Sequence, residues 1–313
     1  LVKIYLGGKV TGHLSGKTIA VTGAGNGIGR AVALLCAEEG ANVVVADYGV
    51  QLDGSDPSSE VADEVVEQIK GSGGSAISLA GDVSESEVGK RIVETAIQSW
   101  GRIDGIACAA GILRERMLFN MTDEEFDDVV RVHLRGHFSV YRAASAVMRK
   151  QEGGGSLLGF TSGAFVASTA QPNYSAAKGG IVSLTKSAAF ALKRYGVNAN
   201  CIAPAAMTRM SENVPFEIEA GAPEDIAPLA AFLLSDAAKE ITAQIYTCTG
   251  KRIAVWNQPA EIREMTANNG EAFSFEEIAE RLDNDIGVEE LPLFADLERR
   301  MKEMAEKTEQ GND

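Results

Sequence analysis

The sequence has few of the residues that build metal sites and disulfide frameworks. Its 313 residues include four cysteines and three histidines, and the cysteines lie far apart, at positions 36, 108, 201 and 248. Such sparse cysteines exclude a zinc ribbon and a disulfide-stapled domain, so we expect no metal ion and a cytoplasmic location. No apolar run approaches the roughly 18 residues of a membrane span, and the apolar start of the chain is too short for a signal peptide.

Positive charge is also scarce. The chain has 29 Lys and Arg against 44 Asp and Glu, which gives a formal net charge of −15. Nucleic-acid binding without sequence preference relies on basic side chains that neutralise phosphates, so we exclude that function. We expect a small-molecule ligand, and neither a nucleic acid nor a membrane as partner.

Glycine, in contrast, is abundant, and short strands alternate with longer helices. There are 33 glycines against eight prolines, and β-branched runs such as residues 18–23 and 41–47 alternate with helical segments such as 61–70 up to about residue 250. This alternation predicts an α/β fold with a doubly wound parallel sheet. No linker divides these residues, so we predict one domain, and after Trp256 the alternation stops.

The segment TGAGNGIG at residues 22–29 carries the strongest local signal. It follows a predicted strand and opens a predicted helix, which is where a dinucleotide-binding fingerprint occurs. Gly23 and Gly27 let the backbone approach a pyrophosphate, Gly29 lets the helix pack on the strand, and the helix N-terminus attracts phosphate. A competing GKT at residues 16–18 precedes the strand, so we reject a Walker A phosphate loop.

Two acidic residues follow later strands. Asp47 ends the second strand, 18 residues after Gly29, where a carboxylate accepts hydrogen bonds from the adenosine ribose and repels a 2′-phosphate. We therefore expect NAD rather than NADP, although an aspartate at a strand end is often only a turn residue. Asp82 and Val83, after the third strand, have the geometry to reach the adenine ring.

Tyr174 and Lys178 form a candidate acid–base pair. Their i, i+4 spacing places both on one face of a helix. A nearby ammonium stabilises a phenolate, so we expect Lys178, with a cationic nicotinamide ring, to lower the Tyr174 pKa from about 10. The spacing alone is common on exposed helices, but the fingerprint upstream favours a functional pair. Ser162 closes a predicted strand, where its hydroxyl could bind the reacting oxygen.

Together, TGAGNGIG, GDV, AAG, the serine after the fifth strand and YSAAK resemble the short-chain dehydrogenase/reductase family. The resemblance implies an NAD-binding domain with a seven-stranded Rossmann-type sheet over residues 14–256, followed by a helical C-terminal extension over 257–313. It also implies a homotetramer or homodimer. The implied cofactor-binding residues are Gly23, Asn26, Gly27, Ile28, Gly29, Asp47, Asp82, Val83, Ala109, Ala110, Gly111, Tyr174, Lys178, Pro204 and Thr208.

The resemblance also assigns roles at the reacting end of the site. Tyr174 would be the general acid/base, Lys178 would hold the nicotinamide ribose and tune Tyr174, and Ser162 would orient the substrate oxygen. Pro204 would begin the loop that closes over the nicotinamide, with Thr208 close to the carboxamide.

The chain departs from the family pattern at three places. Cys108-Ala109-Ala110-Gly111 replaces Asn-Asn-Ala-Gly, which loses amide side chains but keeps small residues. The separation of serine and tyrosine is one residue shorter than usual, which leaves Thr161 as an alternative to Ser162. The helical asparagine of the family is His133 here. Its neutral imidazole either holds the water that backs Lys178 or simply packs in the helix.

A narrower resemblance rests on residues 111–118, 127–138 and 202–210 and on the long loop 48–60. They are similar to the (3R)-hydroxyacyl-CoA dehydrogenase unit of type 2 peroxisomal multifunctional enzymes and bacterial relatives, in which position 133 is also histidine. This implies a 3-hydroxyacyl-CoA substrate. A steroid, terpenoid or other apolar alcohol is the alternative, and a catalytically inactive dinucleotide-binding scaffold is the alternative of another class. Candidate contacts for the CoA phosphates are Arg114, Arg116 and Arg209.

Two further expectations concern the loop and the tail. Asp56 followed by Pro57 has the pattern of a helix N-cap and first helical residue. In the tail, apolar residues from Phe275 to Met304 recur partly at spacings of three and four, which leaves an apolar stripe on acidic helices. We expect this stripe to cover the body of the protein near residues 211–223, or a neighbouring subunit.

Overall fold

The computed structural model of the chain describes residues 5–6, 9–10, 12–51, 54–207, 221–267, 272–289, 291–294 and 299. These residues form two compact units, which divide between Trp256 and Asn257. Thr208 and Arg209, both selected from the sequence, lie outside the described residues.

A central sheet of eight strands organises the first unit. The strands are β3 (Thr18–Thr22), β4 (Asn42–Asp47), β5 (Ser75–Ala80), β6 (Gly105–Cys108), β7 (Gly155–Phe160), β8 (Val197–Pro204), β9 (Ile245–Cys248) and β10 (Ile253–Val255). Their order is β10-β9-β8-β7-β6-β3-β4-β5. A separate two-stranded ribbon, β1 (Tyr5–Leu6) and β2 (Lys9–Val10), precedes them. The sheet confirms the predicted doubly wound α/β fold.

The last strand differs from the seven-stranded expectation. The first seven strands pair in parallel, whereas β10 pairs antiparallel with β9. The chain reverses between them, because the Thr249 N–H donates to the Arg252 carbonyl and Gly250 adopts a φ of +79°. This tight reversal returns three residues to the sheet edge as an eighth strand.

Strand β4 shows why the buried strands contain continuous apolar runs. Val43 and Val45 belong to the core on one face of the sheet, and Val44 belongs to the core on the other. Successive side chains of a strand point to opposite faces, so a strand covered on both sides buries every residue.

Helices cover both faces. They are α1 (Gly27–Glu38), α2 (Glu60–Gly71), α3 (Ser86–Trp100), α4 (Asp123–Val130), α5 (Gly136–Met148), α6 (Pro172–Leu192) and α7 (Pro223–Leu233), with α8 (Phe275–Asp285) in the second unit. The apolar sides of α1, α2 and α7 form one core, and those of α3, α5 and α6 form the other. Within the described part of the chain, no helix combines the length and apolarity needed to cross a membrane.

The expected helix start at Asp56 and Pro57 is wrong. Helix α2 begins at Glu60, with Ser59 as its N-cap residue. Asp56 instead has a φ of +49°, and the Ser58 N–H donates to the carbonyls of Tyr48 and Gly49. Because these bonds return the chain to the end of β4, the helix can begin only after Ser58.

Candidate active site

A cavity of about 280 Å³ lies where the central strands end. Strands β3 and β6 are neighbours in the sheet although other elements separate them in sequence, which makes this edge the point where ligands bind in such folds. Eleven of the predicted cofactor residues line the cavity: Gly23, Asn26, Gly27, Ile28, Gly29, Asp47, Asp82, Val83, Ala109, Ala110 and Gly111. The structure thus brings the fingerprint, both carboxylates and the segment after β6 to one place.

The glycines of the fingerprint are required by close backbone approaches. A Cβ on Gly23, which has a φ of +66°, would lie 2.6 Å from the Ala110 nitrogen, and one on Gly29 would lie 2.0 Å from the Gly23 carbonyl oxygen. Larger residues would therefore push the turn away from the segment after β6 and from the first turn of α1. The packing keeps the N-terminus of α1 open toward the cavity, where its free N–H groups suit an anion.

Asp47 is held by two backbone N–H groups. Gly25 donates to Oδ2 at 2.7 Å and Gly49 donates to Oδ1 at 2.6 Å. The carboxylate therefore connects the fingerprint turn to the loop that follows β4, while remaining on the cavity wall. Each oxygen has further lone pairs that can accept ribose hydroxyls.

Asp82 lies in an ion-pair network that the sequence analysis did not identify. Ser84 N–H donates to its Oδ1 at 2.9 Å, and Arg131 Nη1 donates to its Oδ2 at 2.6 Å. Burial would raise the pKa of this carboxyl, but the hydrogen bonds from Ser84 and Arg131 outweigh burial and lower the pKa. Asp82 therefore remains ionised at the cavity wall.

The loop after β4 contributes a wall that sequence reasoning missed. Tyr48, Val50, Gln51 and Gly54 line the cavity, and Val50 packs against the apolar cluster that contains Ile112. The unusual length of this loop was the available signal. The other lining residues not predicted are Gly81, Ile112, Asp128, Arg131 and Val132, whereas Arg114 is a predicted contact for the CoA phosphates.

The acid–base residues lie at the start of α6, beside this cavity. Pro172 begins the helix, so Tyr174 falls in its first turn and Lys178 in the next. Lys178 Nζ lies 5.1 Å from the Tyr174 ring centroid and donates to the Phe160 carbonyl at 2.7 Å. Tyr174 packs in the same apolar cluster as Ile112, which lines the cavity.

Burial changes the pKa values of both residues. It raises the pKa of Tyr174 to about 12, although a hydrogen bond from Ser162 acts in the opposite direction. It lowers the pKa of Lys178 to about 7, against a smaller opposite effect of Cys201. The expectation that Lys178 lowers the Tyr174 pKa is wrong for the protein alone, because burial dominates and raises it.

The two hydroxyls at the end of β7 have different partners. Thr161 is buried and donates to the Lys178 carbonyl at 2.9 Å. The Ser162 hydroxyl acts to lower the Tyr174 pKa, and its oxygen accepts the Ala164 N–H at 3.2 Å. Thr161 therefore holds the backbone of α6, whereas Ser162 faces the phenol.

His133 is buried in a π-helical turn, Arg131–Arg135, between α4 and α5. Its Nε2 lies 2.8 Å from the Ile112 carbonyl and 3.2 Å from the Ile112 N–H, and its ring meets that of Tyr174 edge-on at 5.2 Å. A Cβ on Gly111 would lie 2.2 Å from His133 Cε1. Burial first, and then Lys178, lower the His133 pKa well below 6.5, so the imidazole is neutral.

Pro204 and Arg116 lie outside the cavity wall, whereas Arg114 is part of it. Pro204 ends β8 and is absent from the cavity wall. Arg116 forms a double hydrogen bond with Glu125 at the surface, which makes it a poor candidate for a phosphate contact. Arg114 lines the cavity, 3.7 Å from Asp128. No cluster of metal-ligating side chains occurs among the residues described.

Known proteins resemble this chain over most of its length. The family model described as enoyl-(acyl carrier protein) reductase matches residues 23–250. Hydroxyacyl-CoA dehydrogenase ChsB1 of Mycobacterium tuberculosis is 41% identical over 274 residues, which cover 82% of this chain and 85% of the relative.

Two other matches extend the comparison. Peroxisomal multifunctional enzyme type 2 of Mus musculus is 42% identical over 230 residues, which cover 73% of this chain but only 31% of that enzyme. The chain therefore matches about a third of the mouse protein. A crystal structure of a short chain dehydrogenase from Mycobacterium avium superposes with a TM-score of 0.78 at 37% identity, covering 90% of this chain and 98% of that one.

Proposed function

The chain belongs to the short-chain dehydrogenase/reductase family, and from this premise we propose that it oxidises the hydroxyl of a 3-hydroxyacyl-CoA to a ketone with NAD. The observation that carries the proposal is the pair formed by Tyr174 and Lys178, with Nζ 5.1 Å from the phenol ring centroid at the start of α6, next to a cavity lined by the dinucleotide fingerprint. The reverse reaction, reduction of a 3-oxoacyl-CoA, would use the same groups.

The cavity fits NAD on three observations. Glycines without room for a Cβ bring the backbone to the N-terminus of α1, where a pyrophosphate would bind. The Asp47 carboxylate offers acceptors for ribose hydroxyls and repels a 2′-phosphate. Lys178, whose Nζ donates to the Phe160 carbonyl at 2.7 Å, would hold the second ribose with its other donors. When bound, NAD supplies the acceptor for the hydride that leaves the alcohol carbon.

The protein's own residues would orient the substrate and accept its hydroxyl proton. Ser162 donates to the substrate oxygen and orients it, while Tyr174 accepts the hydroxyl proton as the carbon–oxygen double bond forms. With a pKa of about 12, the Tyr174 phenol stays protonated near neutral pH and cannot accept a proton. The proposed mechanism therefore requires that the Lys178 ammonium and the positive charge of the oxidised ring lower this pKa in the ternary complex.

The substrate class rests on the relatives and on Arg114. The Mycobacterium tuberculosis relative is named a hydroxyacyl-CoA dehydrogenase. Arg114 lines the cavity with its side chain 27% exposed and its one ion-pair partner in the described structure, Asp128, at 3.7 Å. A guanidinium held this loosely could turn toward a phosphate of the CoA group.

Turnover of a substrate panel tests the proposal. The protein is mixed with NAD and with 3-hydroxyacyl-CoA esters of several chain lengths, steroid alcohols and terpenoid alcohols, and NADH absorbance is recorded. We expect turnover of the CoA esters. Turnover of the apolar alcohols alone would replace the substrate, and no turnover with any alcohol despite NAD binding would favour an inactive scaffold.

The base is tested by Tyr174→Phe, which removes the proton acceptor but keeps the ring. Turnover should fall by roughly 10²–10⁴-fold, since a general base contributes about that factor. NAD affinity should stay close to that of the wild type, which titration of protein fluorescence would measure. A variant with wild-type turnover would refute the assigned mechanism.

Two broader properties are part of the proposal. All four cysteines are buried and unbridged, which suits the reducing cytoplasm. Large apolar side chains are exposed on the first unit, including Phe190 on α6 at 91% and Phe138 on α5 at 46%, which suits a homodimer or homotetramer. Light scattering after size-exclusion chromatography would give the assembly mass.

A further inference from the structure

A second buried histidine, His137, has no role in the mechanism above. It lies in the first turn of α5 with 2% of its surface exposed, one helical turn after His133. Its Nδ1 lies 2.7 Å from the His133 carbonyl oxygen. A carbonyl oxygen only accepts, so Nδ1 carries the proton and donates it.

The His137 imidazole stays neutral. Burial first, and then the Lys178 ammonium, lower its pKa to about 3, although the carbonyls of His133 and Cys108 favour protonation. Its ring meets that of Tyr141 at 6.0 Å, and the Tyr141 hydroxyl lies 3.4 Å from that of Thr185 on α6. His137 is therefore a buried, neutral hydrogen-bond donor on α5.

The His137 Nδ1–H donates to a carbonyl in an irregular turn that precedes α5. In the π-helical turn Arg131–Arg135, carbonyls pair with N–H groups five residues on rather than four, which widens the helix. A wide turn can slip back to regular α-helical pairing, which would rotate the residues within it. A buried side-chain donor on the His133 carbonyl opposes this slip.

The orientation of His133 has little tolerance. Its Cε1 occupies the space that a Cβ on Gly111 would need, and its Nε2 faces the backbone of Ile112 in the cavity wall. The Tyr174 ring also lies against His133, with 5.2 Å between the two ring centroids. Rotation of the turn would move the imidazole against Ile112, Tyr174 or both.

We propose that His137 is a positioning residue of this site: its Nδ1–H holds the His133 carbonyl, and thereby sets the His133 ring between Ile112 and Tyr174. His137 touches neither substrate nor cofactor and exchanges no proton in the reaction. Its kinetic consequence rests on the function proposed above, whereas its structural consequence can be measured on the protein without ligands.

Two variants of His137 distinguish the effect of its hydrogen-bond donor from the effect of its side-chain volume. His137→Asn places an amide N–H where Nδ1 stands, and His137→Leu keeps bulk but removes the donor. Ser139→Ala is the matched control, because Ser139 is equally buried on α5 and donates to the Glu85 carbonyl at 3.2 Å, away from His133.

The first measurement is nitrogen-15 NMR of histidine-labelled protein without cofactor. The chain has only three histidines, and the exposed one is identified with His13→Gln. We expect His137 to be the neutral Nδ1–H tautomer from pH 5 to 8. The His133 ring signals should be retained in His137→Asn and Ser139→Ala and shifted in His137→Leu.

The second measurement is turnover of the 3-hydroxyacyl-CoA substrate. With His137→Leu, kcat should fall roughly tenfold to a hundredfold, because small displacements of reacting groups cost this much, with the KM for NAD unchanged. His137→Asn and Ser139→Ala should stay near the wild type.

Three results would overturn the proposal: a wild-type His137 that is the Nε2–H tautomer or gains a proton in this pH range, unchanged His133 signals or kcat in His137→Leu, or equal losses in His137→Asn and His137→Leu. If His137→Leu does not fold, the wild-type tautomer and His137→Asn decide. If the wild type turns over no CoA ester, the proposed substrate fails while the NMR result still decides the role of His137.

Discussion

The surroundings of Lys178 change its chemistry strongly. Its side chain is 5% exposed, and its hydrogen bond to the Phe160 carbonyl satisfies only one of three ammonium donors. Burial penalises the charged form, which brings its pKa to about 7. The protein thus keeps a readily neutralised cation beside Tyr174, where a bound ribose would supply the missing acceptors.

This pKa predicts how stability depends on pH without cofactor. Above about pH 7, folded Lys178 loses its proton, whereas the unfolded lysine keeps its proton up to its ordinary pKa of 10.5. The unfolded state then binds more protons, so the free energy of unfolding rises with pH, by up to ~1.4 kcal/mol per unit. Urea unfolding between pH 7.5 and 8.5 should show this rise, and the rise should be smaller in Lys178→Met.

The urea experiment stops at pH 8.5 to limit the effect of buried cysteines on the free energy of unfolding. Burial raises the pKa of Cys36 to about 12 and that of Cys201 to about 11, so thiol ionisation favours the unfolded state above about pH 9. Equal slopes in the wild type and Lys178→Met would show that Lys178 does not titrate near neutral pH.

Asp47 predicts the choice between NAD and NADP. The wild type should favour NAD by at least ~1–3 kcal/mol, because the Asp47 carboxylate opposes a 2′-phosphate. Asp47→Asn should narrow this gap. Asp47→Ala should narrow it too, but with a larger loss of melting temperature, because the N–H groups of Gly25 and Gly49 then lose their acceptor. Calorimetric dissociation constants for both cofactors check this, and equal wild-type values would contradict it.

At the level of elements, the loop 48–59 joins the two ends of the cavity. Gly49 donates to Asp47, and a Cβ on Gly49 would lie 1.7 Å from the Ser58 carbonyl oxygen. Val50 reaches the cluster that contains Ile112 and Tyr174. The loop therefore extends from the Asp47 carboxylate toward the acid–base residue Tyr174.

Gly49→Ala tests this loop against Gly73→Ala. Both glycines have positive φ, +68° and +84°, but only Gly49 lacks space for a Cβ. Gly73→Ala should lower the free energy of unfolding by roughly 1–2 kcal/mol through backbone strain. Gly49→Ala should lose a further ~1–3 kcal/mol through the clash, and should also weaken NAD binding. Urea unfolding and NADH fluorescence measure the two effects, and identical behaviour of the variants would exclude a role for the loop.

At the level of the whole molecule, the second unit is the part without an assigned role. Ser274 caps α8 by accepting the Glu277 N–H, and Arg281 bonds Glu277 and Asp285 along the helix. The described part of the predicted helical extension therefore contains a helix, α8. Leu297, Met301 and Met304 lie outside the described residues, as does most of the loop 211–223, so the expected cover over that loop stays a prediction.

Removal of the second unit, by ending the chain at Trp256, tests that prediction. The apolar residues of the tail need a partner surface, so we expect a lower melting temperature or a changed assembly mass. NAD affinity should persist, because the fingerprint lies in the first unit. Calorimetry, light scattering and the Michaelis constant for the substrate measure the outcome. A truncated protein unchanged in all three would show that the tail is only an appendage.

The sequence by itself determined the fold class and the dinucleotide cavity. Both depend on local patterns, because strand and helix periods record which faces are buried, and a glycine turn between β3 and α1 records a close backbone approach. The order of the parallel strands then brings Asp47 and Asp82 to the same edge of the sheet without further information.

Only the tertiary structure decided the partners of individual groups. It separated Thr161 from Ser162, directed Lys178 to the Phe160 carbonyl, placed His133 against Ile112 and started α2 at Glu60. Each of these depends on a hydrogen bond between residues distant in sequence or on a loop that folds back. Periodicity shows that a side chain is buried, but it cannot show which distant atom satisfies it.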